Sequence, residues 1–490
     1  MGRPTQSDSD NLTVHDNRTG KTFTIPIVDN AIPATAFKAM SAPRKPGERE
    51  ENETEKGLRV QDKGFLNTAV IRSEITYIDG DAGVLRYRGY PIEQLAVHSS
   101  HLESAYLLIY GSLPTKEQFQ FFKGEIMRHG VAHADSEGFF RSFRYDAHPM
   151  SMLTSAFAML GSYYGEANPS LQGQRLYTQG DKASLATMDR QIYRIIGKAT
   201  TLAAMAYRVR QGRSFVTPPT GLSYTGSFMY QMDHLGEENY VPNPVLEKAL
   251  DTASSLVDPY SAIAAGCASL YGPLHGGANE AVIRMLISIG SPANVPAFIE
   301  AVKRREKTLS GFGHRVYKTS DPRSFIVRKT ADEVFKVTGK DELLETAMAL
   351  HDAAMKDEYF IKRKLAPNVD FCGLIYRAMG FPLDFFPVLF VVPRVVGWLA
   401  HWRQMMLQED GVKIWRPRQV SDDFQSSTPF RLIRGLRLCR FTSVRENAIT
   451  SLQSNVSRWK ALDKRPRRSS MEGDITKRTM LATFKGKAKL

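Results

Sequence analysis

Apolar residues recur along most of the chain at the three- and four-residue spacing that is typical of amphipathic helices. The segment from His101 to Tyr110 shows this spacing clearly, and Gly111 is placed to end the helix. Thr115 followed by Gln118 forms a capping-box pattern, which predicts the start of the next helix. The pattern therefore predicts successive helices.

Further helical segments recur towards the C-terminus. Asp321 and Pro322 are placed as N-cap and first helical residue of a helix that runs towards Gly339. The other predicted segments are Ala186 to Arg210, Pro296 to Arg305, Leu343 to Lys364 and Phe385 to Ala400. No regular strand pattern lies between these segments, so the pattern predicts a mostly α-helical chain, and no repeat of fixed period is evident.

Two parts of the N-terminal region depart from the helical pattern. Residues 1 to about 60 are polar, and the charged run from Pro43 to Lys56 indicates an extended arm or linker. From Ile71 to Arg88, apolar and polar residues alternate around a turn-forming run at residues 79–83. That second pattern predicts one small β-hairpin.

The most apolar run raises the question of a membrane span. It extends from Phe385 to Ala400 but contains Pro387, Pro393 and Arg394. It is also shorter than the roughly 18 to 20 residues that a bilayer requires. We therefore expect a buried core helix and no membrane partner.

Cysteine content and the N-terminus bear on the compartment. The three cysteines are Cys267, Cys372 and Cys439, which are far apart and form no C-x-x-C pair. They predict neither a disulfide framework nor a structural zinc site, and they favour a reducing compartment. Asp8 and Asp10 stand where a secretory signal is apolar and a mitochondrial presequence avoids acidic residues, so we expect no N-terminal address.

The net charge of +14 is unevenly distributed. The last 70 residues contain 16 Lys and Arg against 6 Asp and Glu, so they carry most of the excess. The run Lys464 to Arg468 is similar to a nuclear-import or nucleic-acid patch, although solvated runs of this kind are commoner. The rest of the chain is nearly balanced, and we expect no nucleic-acid partner.

Three predicted loops concentrate chemistry that apolar packing does not explain. His275, His314 and Asp370 each lie beside glycines or a proline, where the backbone can approach a ligand closely. Arg394 lies in an otherwise apolar helix and needs an anionic partner. Taken singly, the histidines could be structural, Asp370 a helix cap and Arg394 half of an internal ion pair. Together they suit a site for a polycarboxylate.

At this point the chain resembles citrate synthase, from about Leu12 to Val420. The matching runs are GFLNTA, ITYIDGDAGVLRYRGYPIEQLA, AYLLIYGSLP, SFRYDAHPM, PPTGLSYTGSFMYQMDHLG, YGPLHGGANE, GFGHRVYKTSDPR, RPRQ and GWLAHW. The resemblance implies an all-α homodimer, with a large helical domain and a smaller domain that closes over the substrates.

The resemblance also implies a division of the chain. We expect an N-terminal arm at residues 1–60 and a large domain at 61–277 that is completed by 389–420. The small domain would cover 278–388, and a basic tail would cover 421–490.

The implied reaction condenses acetyl-CoA with oxaloacetate to give citrate and CoA, with no metal and no organic cofactor. Asp370 would remove a methyl proton from acetyl-CoA, His275 would hydrogen-bond the thioester oxygen, and His314 would polarise the oxaloacetate carbonyl. Asn368 would bind CoA. The oxaloacetate carboxylates would be held by Arg323, Arg394 and Arg416.

Three departures from the family pattern stand out. A segment of about 20 residues that contains a His-Ala-Asp-His-Glu stretch is missing between Asp251 and Ser254; as a helix it would span about 30 Å. The motif around Asp370 is one residue shorter than usual, because Cys372 replaces a Tyr-Ser pair before Gly373. Residues from Ser421 to about Cys439 resemble nothing in the family.

These departures leave alternatives open. The enzyme could be a methylcitrate or alkylcitrate synthase that uses a longer acyl-CoA, since the sequence does not define the acyl pocket. It could instead be a catalytically impaired homologue that acts as a partner subunit, or the gap and tail could be gene-model errors. The final residues, Ala488 to Leu490, resemble a peroxisomal import signal, so we expect a peroxisomal import receptor as partner. Cytoplasmic and mitochondrial locations are the alternatives.

Overall fold

The computed structural model is predominantly α-helical, as the sequence predicts. It describes residues 10–42, 57–62, 67–69, 71–173, 175–243, 246, 259–272, 275–313, 317, 321–339 and 341–408. The described chain divides into two compact units, one up to residue 69 and one from residue 71 onwards. The predicted boundaries between a large and a small domain remain predictions.

The first unit contains a β-hairpin that the sequence analysis did not predict. Strands β1 (Asn11–Asp16) and β2 (Lys21–Pro26) pair antiparallel, and Ile25 is buried. The Asp16 carboxylate, also buried, accepts hydrogen bonds from the backbone and the guanidinium of Arg18. The predicted N-terminal arm is therefore ordered over this stretch.

The second unit begins with the hairpin that the alternating pattern predicted. Strand β3 (Thr76–Asp79) pairs antiparallel with β4 (Val84–Tyr87), which also pairs with the short β5 (Tyr90–Pro91). The Asp79 carboxylate accepts from the backbone N–H groups of Asp81 and Ala82 over 3.0 and 2.9 Å. These bonds close the turn, and the prediction of one small hairpin here is confirmed.

The second unit continues as a series of helices. In chain order they are α1 (Ile92–His98), α2 (His101–Tyr110), α3 (Lys116–Arg128), α4 (Asp135–Arg141), α5 (Pro149–Tyr163), α6 (Pro169–Gln172), α7 (Lys182–Arg210), α8 (Tyr224–Asp233), α9 (Pro259–Leu270), α10 (Gly276–Ile289), α11 (Val295–Lys303), α12 (Arg323–Thr338), α13 (Leu343–Lys356), α14 (Glu358–Lys362), α15 (Gly373–Ala378) and α16 (Phe386–Met406). A 3₁₀ turn, Val369–Cys372, leads into α15.

Local signals set several helix ends as predicted, and two details differ. Gly111 ends α2 in the left-handed region at φ 93°, and Thr115 with Gln118 forms the capping box of α3. Helix α12 begins one residue later than expected, so Pro322 is its N-cap residue. The segment predicted from Leu343 to Lys364 is two helices, because Asp357 is extended and caps the second one.

Helix α16 is the core element of the second unit. It packs against α2, α7, α9 and α10, and most of its residues are buried on all sides of the helix. Its length and apolar composition would suit a bilayer span, but 78% of its most apolar window is buried inside the protein. The prediction of a buried core helix is confirmed, and Arg394 lies on this helix.

Candidate active site

His275 lies at the N-cap position of α10, where the chain turns from the loop after α9 into the helix. Its backbone N–H donates to the Gly272 carbonyl over 3.0 Å, and its side chain makes no capping hydrogen bond. A Cβ at Gly276 would lie 2.8 Å from the Leu270 carbonyl and 3.3 Å from the Pro387 side chain. A glycine is therefore needed for the start of α10 to approach the end of α9 this closely.

The imidazole of His275 is kept neutral by its surroundings. The residue is solvent-exposed, yet partial desolvation of the ring lowers its pKa, and the positive charge of Arg394 lowers the pKa further. Two of the predicted site residues from different elements are thus within electrostatic reach of each other. A neutral imidazole can donate one hydrogen bond without carrying charge.

Asp370 lies in the 3₁₀ turn before α15, and Asn368 sets its position. The Asn368 side chain caps this turn, since its Oδ1 accepts from the backbone N–H of Asp370 over 2.9 Å. The backbone N–H of Asn368 donates to the Gly311 carbonyl over 2.9 Å, and its Nδ2 donates to the Gly313 carbonyl over 3.2 Å. Asn368 therefore connects the turn of Asp370 to the loop that precedes His314.

The two loops lie side by side over a short stretch. Phe312 and Pro367 form an antiparallel bridge, and the rings of Phe312 and Phe371 pack edge to face at 5.6 Å. Gly311 has φ 81°, and a Cβ there would lie 2.7 Å from Val282 and 2.8 Å from Phe371. Only glycine tolerates both the positive φ and this close contact.

The carboxyl group of Asp370 is poised between opposing influences. Burial raises its pKa, the hydrogen bond with Asn368 and the charge of Arg323 lower it, and Asp321 raises it; the net direction is upward. A raised pKa makes the carboxylate a stronger base than an exposed aspartate.

Arg323 is held by a fork-shaped ion pair with Asp321. Its Nε and Nη2 donate to the two carboxylate oxygens over 3.0 and 2.7 Å, and its backbone N–H donates to Oδ1 over 2.9 Å. Burial lowers the pKa of the guanidinium, but these bonds and the Asp321 charge raise it overall. The Asp321 side chain is fully buried whereas that of Arg323 is 30% exposed, so the cation is fixed but accessible.

Arg394 projects from the buried helix α16. Burial lowers the pKa of its guanidinium, the charge of Arg323 lowers it further, and Tyr87 raises it. Its Nε is buried and has no hydrogen-bond partner within the described part of the chain. Two neighbouring cations, one with an unmet buried donor, form a favourable environment for a dianion.

The described structure thus relates four of the predicted site residues electrostatically: His275, Asp370, Arg323 and Arg394. Asn368 contacts the backbone of Asp370. The other predicted positions lie outside the described residues; these are His314, Arg416, the junction between Asp251 and Ser254, and the tail from Ser421 to Leu490.

Sequence reasoning missed several contributors. Asp321 was interpreted only as a helix cap, although it orients Arg323. Tyr87 of β4 and Tyr317 both act electrostatically on Arg323, which indicates that the hairpin reaches the site. Tyr87 lies within a run that matches the family, and this match was the one signal available. Nothing in the local sequence predicted that Tyr87 would lie near Arg323. Within the described ranges, no three His, Cys, Asp or Glu residues are grouped so that they could hold a metal ion.

Comparisons with known proteins establish the family of the chain. The family model for the citrate synthase C-terminal domain matches residues 64–253 and 252–418. A peroxisomal citrate synthase of Dictyostelium discoideum is 50% identical over 430 residues, 84% of each chain. A glyoxysomal citrate synthase of Cucurbita maxima is 47% identical over 442 residues, 86% of this chain and 83% of the relative.

Solved structures lead to the same family. Citrate synthase from Pyrobaculum aerophilum is 30% identical with a TM-score of 0.67, covering 82% of this chain and 98% of that one. The Thermoplasma acidophilum enzyme, in a ternary complex with carboxymethyl coenzyme A and oxaloacetate, is 26% identical with a TM-score of 0.63, over 75% and 98%. The all-α fold implied by the resemblance is confirmed, and the chain belongs to the citrate synthase family.

Proposed function

We propose that this protein condenses acetyl-CoA with oxaloacetate to citryl-CoA, whose thioester is then hydrolysed by water to give citrate and free CoA. Membership of the citrate synthase family and the names of its relatives support this function. The observation that carries the mechanism is the electrostatic grouping of Asp370, Arg323, Arg394 and His275. It combines a base, two cations and a neutral hydrogen-bond donor.

Asp370 is the proposed base that removes a methyl proton from acetyl-CoA. An aspartate of ordinary pKa, about 3.9, is a weak base for a carbon acid. The upward direction of the Asp370 pKa helps, but most of the barrier must be removed by stabilising the enolate as it forms. We assign that role to His275, which is neutral beside Arg394 and can donate to the thioester oxygen.

Arg323 and Arg394 are proposed to hold the two carboxylates of oxaloacetate. The binding of a dianion would relieve the repulsion between these guanidinium groups and satisfy the Nε of Arg394. His314 would polarise the ketone and Arg416 would complete the carboxylate site. With oxaloacetate so fixed, the enolate attacks its carbonyl carbon and forms the C–C bond of citryl-CoA, while the carbonyl oxygen takes up a proton. Domain closure excludes bulk water during this step, and one water molecule then hydrolyses the thioester to release citrate and CoA.

Further assignments rest on the family resemblance. We propose a homodimer in which residues 278–388 close over the substrates, and a CoA contact at Asn368. The hydrogen bonds of Asn368 in the described structure are internal, so this contact would use its remaining donor and acceptor capacity. The reaction as written requires neither a metal nor an organic cofactor.

The protein is assigned to peroxisomes. Relatives named as peroxisomal or glyoxysomal citrate synthases, 42–50% identical, support this location. We propose that an import receptor recognises the tripeptide Ala488 to Leu490, which lies outside the described residues.

A thiol-release assay tests the function. Purified protein should release CoA thiol only when acetyl-CoA and oxaloacetate are both present, and citrate should be the product. Propionyl-CoA and longer acyl-CoAs in the same assay test the alkylcitrate alternative. If a folded protein releases no thiol with any acyl-CoA in the presence of oxaloacetate, the enzyme assignment is wrong and the partner-subunit alternative stands.

A further inference from the structure

A buried hydrogen-bonded cluster includes Cys372, which lies two residues after Asp370 and within its electrostatic reach. It consists of Asn279 on α10, Cys372 at the end of the 3₁₀ turn and Tyr376 on α15. Asn279 Nδ2 donates to Cys372 Sγ over 2.9 Å, and a side-chain hydrogen bond joins Cys372 to Tyr376. Asn279 is fully buried, and Cys372 and Tyr376 are each 7% exposed.

The cluster joins two elements that bear proposed catalytic groups. Asn279 lies one turn after His275 on α10, and Cys372 lies two residues after Asp370. The amide of Asn279 has a partner at its Nδ2 end, whereas its Oδ1 is buried and has none among the described residues. The contact with Cys372 is therefore what orients this amide.

Close packing at Gly373 makes the junction sensitive to small changes. A Cβ at this position would lie 2.3 Å from Asn279 Oδ1 and 2.9 Å from the Ile283 side chain. Helix α10 thus approaches the start of α15 with no spare volume. A buried contact of this kind transmits a displacement of one element directly to the other.

The thiol itself is inert in this environment. Burial raises the pKa of Cys372 to about 12, and the neighbouring Asp370 charge raises it too, while the hydrogen bonds from Asn279 and Tyr376 act in the opposite direction. A protonated thiol does not act as a nucleophile. We therefore expect Cys372 to act through its hydrogen bonds and packing contacts and not through thiol chemistry.

We infer that Cys372 is a positioning residue: with Asn279 and Tyr376, it fixes the turn of Asp370 relative to the helix of His275. The inference rests on the proposed function, because it concerns the alignment of the base with the enolate-stabilising donor. Cys372 is buried, and we assign it a role that acts through Asp370. Loss of the cluster would misalign Asp370 relative to His275, while Arg323 and Arg394, the cations proposed to bind oxaloacetate, would stay in place.

The test compares Cys372→Ala with Cys372→Ser, which differ by one hydroxyl group, and adds Tyr376→Phe. Each is assayed for kcat, for the KM of oxaloacetate, and for the kinetic isotope effect with methyl-deuterated acetyl-CoA. Cys372→Ala and Tyr376→Phe should lower kcat by about tenfold and increase the isotope effect, because small misplacements slow the chemical step. Cys372→Ser, which can accept the same hydrogen bonds, should stay near the wild-type values.

Tyr177→Phe is the matched control. The buried hydroxyl of Tyr177 donates to the Ala167 carbonyl over 2.6 Å, remote in sequence from the proposed catalytic residues. This change should lower thermal stability without changing the isotope effect.

Two results would overturn the inference. One is an active wild type whose folded Cys372→Ala and Tyr376→Phe variants keep the wild-type kcat and isotope effect. The other is equal loss of activity in Cys372→Ala and Cys372→Ser, which would assign the effect to the sulfur atom itself. A folded wild type without oxaloacetate-dependent CoA release would instead reject the proposed function, and the inference with it.

Discussion

The side-chain amide of Asn368 donates to the backbone carbonyl of Gly313 over 3.2 Å, across 55 residues of sequence. The same side chain caps the turn of Asp370 through its Oδ1. One residue therefore holds the proposed base and the loop that precedes the proposed carbonyl-polarising His314. The position of the Asp370 turn relative to this loop therefore depends on both the Nδ2 and the Oδ1 atoms of Asn368.

Asn368→Ser separates these two functions. Serine can still cap the turn of Asp370 but is too short to reach Gly313, whereas Asn368→Ala loses both contacts. We expect both variants to lose about tenfold or more in kcat, because loop misplacement slows the chemistry. Because both variants lose the Gly313 hydrogen bond, Asn368→Ala should be less stable than Asn368→Ser by about 1 kcal/mol, the usual value of an N-cap. Steady-state kinetics with thermal unfolding measures both effects; a serine variant with wild-type kcat would show that the Gly313 contact is dispensable.

Asp321→Asn tests how Arg323 is fixed. The substitution keeps the shape of the side chain but removes the charge that pairs with the guanidinium. Because Arg323 would then be held less firmly, the KM of oxaloacetate should rise by about tenfold, equivalent to roughly 1.4 kcal/mol of binding free energy.

The control for this prediction is Asp341→Asn, which breaks another Asp–Arg pair, with Arg377. That pair involves none of the proposed site residues, so the KM should not change. An equal rise in KM in both variants would indicate general destabilisation of the protein and not a specific effect on oxaloacetate.

Asp189 predicts a pH dependence of stability. Burial raises its pKa to about 6, against the opposing effects of Arg403 and of the hydrogen bond from Tyr110. Because the folded-state pKa lies above the ordinary value of 3.8, ionisation of Asp189 disfavours the folded state. This cost is absent below about pH 4 and complete above about pH 6, where it is on the order of 2–3 kcal/mol.

Asp189→Asn measures that cost, since asparagine is neutral at every pH. Relative to wild type, the melting temperature of the variant should rise as the pH increases from 4 to 8. A difference between the two proteins that stays constant over this range would show that Asp189 does not titrate there.

Deletion of Leu490 tests the proposed import signal. A fluorescent protein fused to the N-terminus of the full chain should mark peroxisomes, and the same fusion without Leu490 should become cytosolic because the receptor reads the terminal tripeptide. The intact fusion, expressed at the same level, is the control. Punctate fluorescence that persists after the deletion would assign import to another segment.

The sequence predicted those parts of the fold that depend on local signals. The capping box at Thr115, the glycine that ends α2 and the turn at Asp79 each act within a few residues, so their patterns were sufficient. The hairpin of β1 and β2 was missed because its strands lie in a polar stretch and bury little besides Ile25. The polar composition of this stretch indicated an extended arm, and the alternation of apolar and polar residues was too short to predict strands.

The candidate site shows the same division between local and long-range information. Loop glycines and isolated charges can be seen in the sequence itself, and they made Asp370, His275 and Arg394 candidates. The family resemblance added Arg323 and Arg416.

The motifs and the resemblance did not reveal that Asp321 orients Arg323, that Tyr87 approaches the cations, or that Cys372 contacts Asn279. The Asp321–Arg323 pair is local, but a helix-cap pattern does not distinguish a side chain that caps from one that pairs with the following arginine. The positions of Tyr87 and Cys372 depend on how segments distant in sequence pack together, and no single segment encodes that arrangement.

The most direct test of the account is the rate of oxaloacetate-dependent CoA release by Asp370→Asn compared with wild type. The substitution preserves the size of the side chain but removes the base, so we expect kcat to fall by about 100-fold to 10,000-fold. Asp357→Asn, which alters a helix cap elsewhere, should retain wild-type kcat. A folded Asp370→Asn protein that releases CoA at close to the wild-type rate would contradict the assignment of Asp370 as the base.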